Sequence, residues 1–394
     1  MLPGVLRDEF LLDPDVTFLN HGSFGACPRA VFERYQAWER ELERQPVEFL
    51  GRRSHALLRD ARLALAASLN ADVDELVFVP NATTAVNAIA RSLPLRPGDE
   101  VLGTDQEYGA CDHVWNHACA KAGARYVRQP LPLPLAAPDE VVEQLWAGVN
   151  ERTRVLFVSH LTSSTAVRLP IEALCRRARA AGILTVIDGA HAPGQIPLDL
   201  RAIGADAYVG NCHKWMCAPK GSGFMQLARH LHEVIDATVI SWGYGDVVGV
   251  PAYEAYVGDS PLLRRHQWQG TRDVAAYLTV PAAIEWQRAH DWDAVRARCH
   301  DLAVSFRARI DAHTGLSPIC APDQLGQMAA VAWPADRLPP EALKDYLWDA
   351  HRIEVPITTH RGQVFVRVSV QGYNTPEDLE KLARALMEAP STRT

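Results

Sequence analysis

An α/β fold, with one large and mostly parallel sheet followed by a smaller α+β unit, is what this sequence predicts, and three observations carry the prediction. Short, β-branched apolar segments alternate with amphipathic ones from about residue 60 to about residue 230, the pattern of strands joined by crossover helices. After about residue 295 that alternation gives way to a shorter series of helices and strands. The chain has 394 residues and is 48% hydrophobic, enough for two or three units of ~150 residues that each bury a core.

Taken in order, the chain up to Asn20 reads as extended, and residues 29–70 carry two helical stretches suited to bracing the large unit or a partner subunit. The segments ELVFVP (75–80), EVLGT (100–104), RVLFVSHL (154–161), LTVIDGA (184–190) and AYVGN (207–211) read as buried strands, because they are nearly continuous apolar runs. Between them, residues 85–93, 139–149 and 169–181 have helical spacing. The C-terminal unit reads as helix 294–313, strand 328–333, helix 340–351, strand 364–370 and helix 375–388. The expected organisation is an N-terminal extended segment (1–30) contributing to the active site, a large unit (31–280) and a small unit (281–394).

Composition removes several classes of function. A formal net charge of −7, with no Lys/Arg run, lacks the electrostatic footprint of a nucleic-acid binder and offers nothing to an anionic membrane. No run of ~18 apolar residues is present to span a bilayer. Asp8 and Glu9 fall where an export signal needs an uninterrupted apolar stretch, so a cytoplasmic location is expected. The eight cysteines sit in apolar contexts such as EALCRRA (Cys175) and HACAKA (Cys119), which reads as reduced structural thiols. Cys212 and Cys217 are the closest pair, but no second pair follows to complete a zinc site, and no metal is expected.

Two strand ends carry chemistry. Asp188, in Val186-Ile187-Asp188-Gly189-Ala190-His191, lies at the carboxyl end of a hydrophobic strand, where open α/β sheets bind ligands; its plain alternative is a helix N-cap. Lys214, in Asn211-Cys212-His213-Lys214-Trp215, closes the next strand ahead of Pro219-Lys220-Gly221-Ser222-Gly223. A desolvated lysine there has a lowered pKa and becomes nucleophilic; the alternative is a solvated, snorkelling side chain. Thr83 and Thr84 precede the apolar stripe Val86, Ile89, Ala90 and Leu93, so they fall at a helix N-terminus, which is a ready anion site.

Together with Phe18-Leu19-Asn20-His21-Gly22-Ser23-Phe24-Gly25, Asn81-Ala82-Thr83-Thr84-Ala85-Val86-Asn87, Glu107-Tyr108-Gly109-Ala110, Gly270-Thr271-Arg272-Asp273 and Arg367-Val368-Ser369 with Tyr373-Asn374-Thr375, these motifs resemble the class V aminotransferase family over nearly the whole chain. The nearest resemblance is to its isopenicillin N epimerase-like branch, which includes C–S lyases. The resemblance implies a pyridoxal 5′-phosphate enzyme of aspartate aminotransferase fold type I, with a large cofactor domain built on a seven-stranded type of sheet. It implies catalytic roles for Lys214, as the Schiff-base lysine, for Asp188 at the pyridine nitrogen and for His191 at the ring hydroxyl. It implies phosphate and ring contacts from Ala82, Thr83, Thr84, Asn211, His213 and the stacking Tyr108, with Thr162 and Ser163 in the turn above the ring. Thr271 matches a phosphate contact supplied from a neighbouring subunit, implying a homodimer with composite sites. Arg367 matches the grip on a substrate carboxylate, and Asn20 and His21 the substrate side.

The segment Ser159 to Ala166 departs from the pattern, with Ser164 and Ala166 where relatives often carry Pro and Gly. A cysteine desulfurase needs a nucleophilic Cys on a loop near the substrate, and the stretch Pro356-Ile357-Thr358-Thr359-His360-Arg361-Gly362 before Arg367 holds none. The reaction expected is β-elimination on a cysteine-derived substrate, with epimerisation at Cα and transamination as alternatives. A nicotinamide-dependent dehydrogenase is set aside because no Gly-x-Gly-x-x-Gly follows the first strand.

Overall fold

In the computed structural model, which describes residues 6–245 and 257–391, the strands in chain order are β1 (Thr17–Phe18), β2 (Leu76–Val79), β3 (Glu100–Thr104), β4 (Arg125–Gln129), β5 (Thr153–Ser159), β6 (Leu184–Gly189), β7 (Ala207–Asn211), β8 (Gly223–Leu227), β9 (Met328–Trp333), β10 (Ile353–Glu354), β11 (Ile357–His360) and β12 (Gln363–Ser369). The first five residues of the expected N-terminal segment and the last three of the expected small unit lie outside the described residues.

Seven strands form one sheet in the order β2-β8-β7-β6-β5-β3-β4. The pairs within β4-β3-β5-β6-β7 are parallel, and β8 runs antiparallel to both its neighbours, β7 and β2. Helices Ala82–Ser92, Gly109–Ala122, Pro138–Trp146 and Ile171–Ala180 make the crossovers, the architecture expected for apolar strands buried on both faces. All five expected strands are present. Two strands of the sheet escape a reading by apolar runs. β4 is a sheet edge whose Arg125 and Arg128 are exposed, so it carries charge as edges commonly do. β8 begins inside the glycine-rich exit from the lysine loop, which reads as a turn. Helix Gly109–Ala122 buries Cys111, Trp115, Ala118 and Cys119, a helical stripe in which one large aromatic stands among small and sulfur-bearing residues.

The C-terminal elements form a three-stranded antiparallel sheet, β11-β12-β9, with helices Trp292–Thr314, Pro340–Asp349 and Pro376–Glu388. These match the expected helices and strands to within two residues at each end; β10 and β11 are additional and short. The N-terminal segment is mostly non-helical, but it turns through a short helix at His21–Phe24. Its strand β1 pairs in parallel with β10, and Asn20 bridges to Ser369, so the segment is stitched to the C-terminal elements.

The sheet register brings the site together. Ser159 at the end of β5 pairs with Asp188 on β6, and Asp188 pairs with Val209 on β7, so three neighbouring strands end at one level. Gly189 is required there, because a methyl group at that position would overlap the ring of Tyr208, itself fully buried beneath it. Gly189→Ala is therefore expected to lower stability by about 1–3 kcal/mol, the usual cost of overpacking. A urea midpoint indistinguishable from the parent's would contradict this packing.

Candidate active site

Asp188, the next-to-last residue of β6, is 4% exposed. Its Oδ1 accepts the Ala190 N–H at 2.9 Å, while Oδ2 has only the Cys111 thiol at 3.6 Å. Burial raises its pKa, and the Ala190 N–H and the charge on Lys214 oppose that rise. Beside it lies a second buried carboxyl that the sequence reading passed over, Glu107. Its Oε1 accepts from the Thr104 hydroxyl at 2.6 Å, and its Oε2 from the Ser159 N–H at 2.8 Å and the Ser159 hydroxyl at 2.5 Å. Burial pushes Glu107 up to about 8 against those three donors. The signal for it was the Glu preceding Tyr108 at a strand end, read only for its aromatic neighbour.

Lys214 lies in the loop between β7 and β8, held by its carbonyl, which accepts from the Cys217 N–H at 3.0 Å and lies 3.0 Å from His21 Nε2. Its Nζ is 3.2 Å from His191 Nε2. Burial lowers the lysine to about 8, and Arg367 adds to the effect while Asp188 opposes it. Burial, then Lys214 and Arg367, hold His191 well below its ordinary value, so the ring is neutral.

At the N-terminus of helix Ala82–Ser92, Asn81 is the cap, its Oδ1 accepting the Thr84 N–H at 2.9 Å. Asn211, at the end of β7, accepts the Ala82 N–H at 2.9 Å. The N–H of Thr83 between them has no partner among the described residues. His213 Nδ1 sits 2.9 Å from the Ser222 carbonyl, and burial lowers the ring to about 4.

Arg367, on β12, is 4% exposed. One terminal nitrogen donates to the Ser163 carbonyl at 2.5 Å and the other to Ser23 Oγ at 3.1 Å, while Nε has no partner. Among the described residues no carboxylate lies within salt-bridge distance of it. A buried, unpaired guanidinium is costly unless an anion completes it.

One cavity of about 300 Å³ is lined by Ala82, Thr83, Tyr108, Ser163, Asp188, His191, Asn211, His213 and Lys214 among others, whereas Arg367 and Glu107 are not in its lining and reach it through Ser163, Ser23 and Ser159. Asn81, Ser23 and Ser159 also line it, and none of them was singled out from the sequence as a site residue. Other expected residues stand behind its wall. Thr84 is held by Asn81, and Thr162 is fully buried with its hydroxyl 2.7 Å from that of Thr165. His21 is fully buried, its Nδ1 3.1 Å from the Tyr373 hydroxyl. Asn20 accepts from Ser23 at 2.5 Å and donates to Glu354 at 2.8 Å. Thr271 is exposed and lies outside the cavity of this chain. Ala166 adopts φ 58°, a left-handed conformation that glycine takes without strain. A more open cleft of about 650 Å³ elsewhere contains none of the expected site residues.

A lysine whose pKa is lowered becomes a neutral nucleophile at lower pH than its solvated counterparts. In ligand-free protein, limiting acetic anhydride is expected to acetylate Lys214 with a midpoint near pH 8, as read by peptide mass spectrometry. A midpoint at the ordinary lysine value of about 10.4 would contradict the desolvated environment.

Comparison with known proteins places this geometry. The chain is 41% identical over 391 residues to an isopenicillin N epimerase of Amycolatopsis lactamdurans, covering 97% of each protein. It is 30% identical to a putative L-cysteine desulfhydrase of Oryza sativa, covering 94% of this chain and 82% of that protein. Among solved structures, a cysteine desulfurase from Thermococcus onnurineus superposes with a TM-score of 0.81 at 18% identity, over 98% of each chain, which shows the shared fold. Residues 26–382 match the family Aminotransferase class-V, and the chain belongs to it.

Proposed function

We propose that this protein is a pyridoxal 5′-phosphate enzyme that removes the Cα proton of an amino-acid substrate and completes a β-elimination, breaking the C–S bond of a cysteine-derived substrate. The observation that carries the proposal is the meeting, in one cavity, of a desolvated lysine, a buried carboxylate with an open acceptor and, through Ser163 and Ser23, a buried arginine lacking a counter-ion.

Membership of the class-V family supports pyridoxal 5′-phosphate as the cofactor, and the groups present suit it. Asp188 Oδ2, with only a thiol donor at 3.6 Å, has capacity for a protonated ring nitrogen. The unpartnered Thr83 N–H at a helix N-terminus, with Ala82, Thr84, Asn211 and His213 around it, suits a phosphate. Lys214 would hold the carbonyl carbon, His191 the ring hydroxyl, and Tyr108 would stack on the ring. Thr271 would serve the phosphate of a neighbouring copy, so a homodimer belongs to the proposal, as do the cytoplasmic location and the three-part division of the chain. Among the described residues no helix is long and apolar enough to cross a membrane.

When bound, the cofactor supplies a carbonyl for the substrate amine and a protonated ring that withdraws the electron pair left at Cα. The residues do the rest. Arg367 grips the substrate carboxylate with a planar fork, and Thr162 and Ser163 shape the turn beside it. Asn20 steadies Ser23, which the fork also uses, and His21 anchors the Lys214 backbone. Asp188 keeps the ring nitrogen protonated. Lys214, as the neutral amine, takes the Cα proton and as the ammonium returns a proton to the departing sulfur.

Elimination needs one acid/base group, and the Lys214 cluster supplies it. Epimerisation needs a second proton donor on the opposite face; beyond that cluster the lining offers Tyr108 and His213, and His213 is neutral and engaged with Ser222. Epimerisation is nonetheless the second reading, because identity to the epimerase exceeds identity to the desulfhydrase. Persulfide transfer is disfavoured: among the described residues no cysteine lines the cavity, and Cys111 and Cys320 are buried with raised pKa values.

Incubating the holoenzyme with L-amino acids and cysteine S-conjugates separates the outcomes. Pyruvate and ammonia from the conjugates are expected. Solvent deuterium at Cα with loss of optical purity, and no pyruvate, would establish epimerisation instead, and a pyridoxamine spectrum transamination. Arg367→Lys is expected to lower kcat/KM by roughly 10–100-fold, mostly through KM, since it removes charged hydrogen bonds to the carboxylate.

A further inference from the structure

We propose that Trp215 is a positioning residue that fixes the proton of His191 on Nε2 and so favours Lys214 as a neutral amine. The inference rests on the reading of Lys214 as the nucleophile and deepens it, because it assigns a role to the residue next in the chain.

The argument is one of donors and acceptors. Trp215 is fully buried, and its indole N–H, which can only donate, points to His191 Nδ1 at 3.4 Å. Nδ1 must therefore present its lone pair. A neutral imidazole carries one N–H, which leaves that proton on Nε2, 3.2 Å from Lys214 Nζ. An ammonium has three donors and no acceptor, so it would meet this N–H proton to proton, whereas the neutral amine accepts it. The chain Trp215 to His191 to Lys214 thus has one consistent direction. An imidazolium would place a second proton at Nδ1 against the indole, and burial already holds the ring neutral.

The contact is built into the backbone on both sides. The Trp215 carbonyl accepts the Gln287 side-chain N–H at 2.7 Å, and the His191 carbonyl accepts that of Gln195 at 2.7 Å. Gly194 lets the two segments close together: its φ is +83°, and a side chain there would strike the Trp215 carbonyl. Of the other charged or titratable groups around Lys214, Arg367 from β12 disfavours the ammonium, and Asp188 from β6 and Cys111 from helix Gly109–Ala122 favour it, while His21 and His213, whose pKa values burial lowers, are coupled to its charge. Without the indole, His191 is free to carry its proton on Nδ1 and accept from the ammonium, which raises the proton affinity of the lysine.

The test is the tautomer itself. In full-length ligand-free protein with 15N-labelled histidine, two-bond 1H–15N correlations, assigned by the resonance lost in His191→Gln, are expected to show an Nε2–H ring near pH 7.5. In Trp215→Phe they are expected to show Nδ1–H or a mixture. In the same variant the midpoint for acetylation of Lys214 should rise by about one pH unit, a tenfold fall in the neutral fraction below the midpoint. An Nδ1–H ring or an imidazolium in the parent protein would overturn the proposal. So would a folded Trp215→Phe protein with an unmoved midpoint. If that variant does not fold, the parent tautomer decides alone. The tautomer is read without cofactor or turnover, so its failure is distinct from a failure of the functional proposal.

Discussion

Desolvation of one lysine is the constraint on which the cavity depends. An ammonium at Lys214 loses hydration that the surrounding protein replaces only in part, and burial outweighs the opposing pull of Asp188. The neutral amine is correspondingly favoured. That outcome requires a lysine loop that cannot swing out to solvent. The loop is tied down by Cys217 and by His21 at the Lys214 carbonyl, and by Gln287 at the Trp215 carbonyl. The N-terminal segment therefore serves the cavity both directly, through the lining residue Ser23, and at one remove: β1 pairs with β10, and the short helix that follows places His21 against the lysine loop and Ser23 against Arg367.

The ionisable groups around the lysine are unevenly satisfied. Asp188 lines the cavity and Glu107 is buried outside its lining, while the buried guanidinium of Arg367 has no acid of its own among the described residues. Glu107 is saturated with three donors, whereas Asp188 keeps an acceptor open. The better-satisfied acid organises Ser159 and the end of β5, and the less-satisfied one lines the cavity. An arginine buried without a counter-ion is unstable on its own account, and under the proposed function that cost would be offset when the substrate carboxylate arrives, coupling recognition to stability through one side chain.

Much of this was legible in the sequence because parallel strands buried on both faces write themselves as continuous apolar runs, as at 184–190 and 207–211, and because ligands gather at the ends of such strands. Asp188 and Lys214 could be found from that rule and the family resemblance together. Glu107 and Asn81 could not be assigned, since a carboxyl or amide at a strand end looks the same whether it faces ligand, backbone or solvent. Edge strand β4 and the short β10 and β11 were missed because edges are polar and two to five residues carry little periodicity. Trp215 stood in the sequence only as the neighbour of Lys214 in the lysine motif. Its contact with His191 exists only because Gly194 lets two distant segments meet, and no spacing along the chain encodes that.

The measurement that bears most directly on the account is the identity of the lysine that takes the cofactor. The protein loaded with pyridoxal 5′-phosphate, reduced with borohydride and digested, should carry the pyridoxyl phosphate mass on the peptide containing Lys214, with the ~420 nm band lost in Lys214→Ala. Labelling at Lys220, the other lysine of the same loop, which donates to the Gly25 carbonyl at 2.9 Å, or no stable labelling at all, would contradict it.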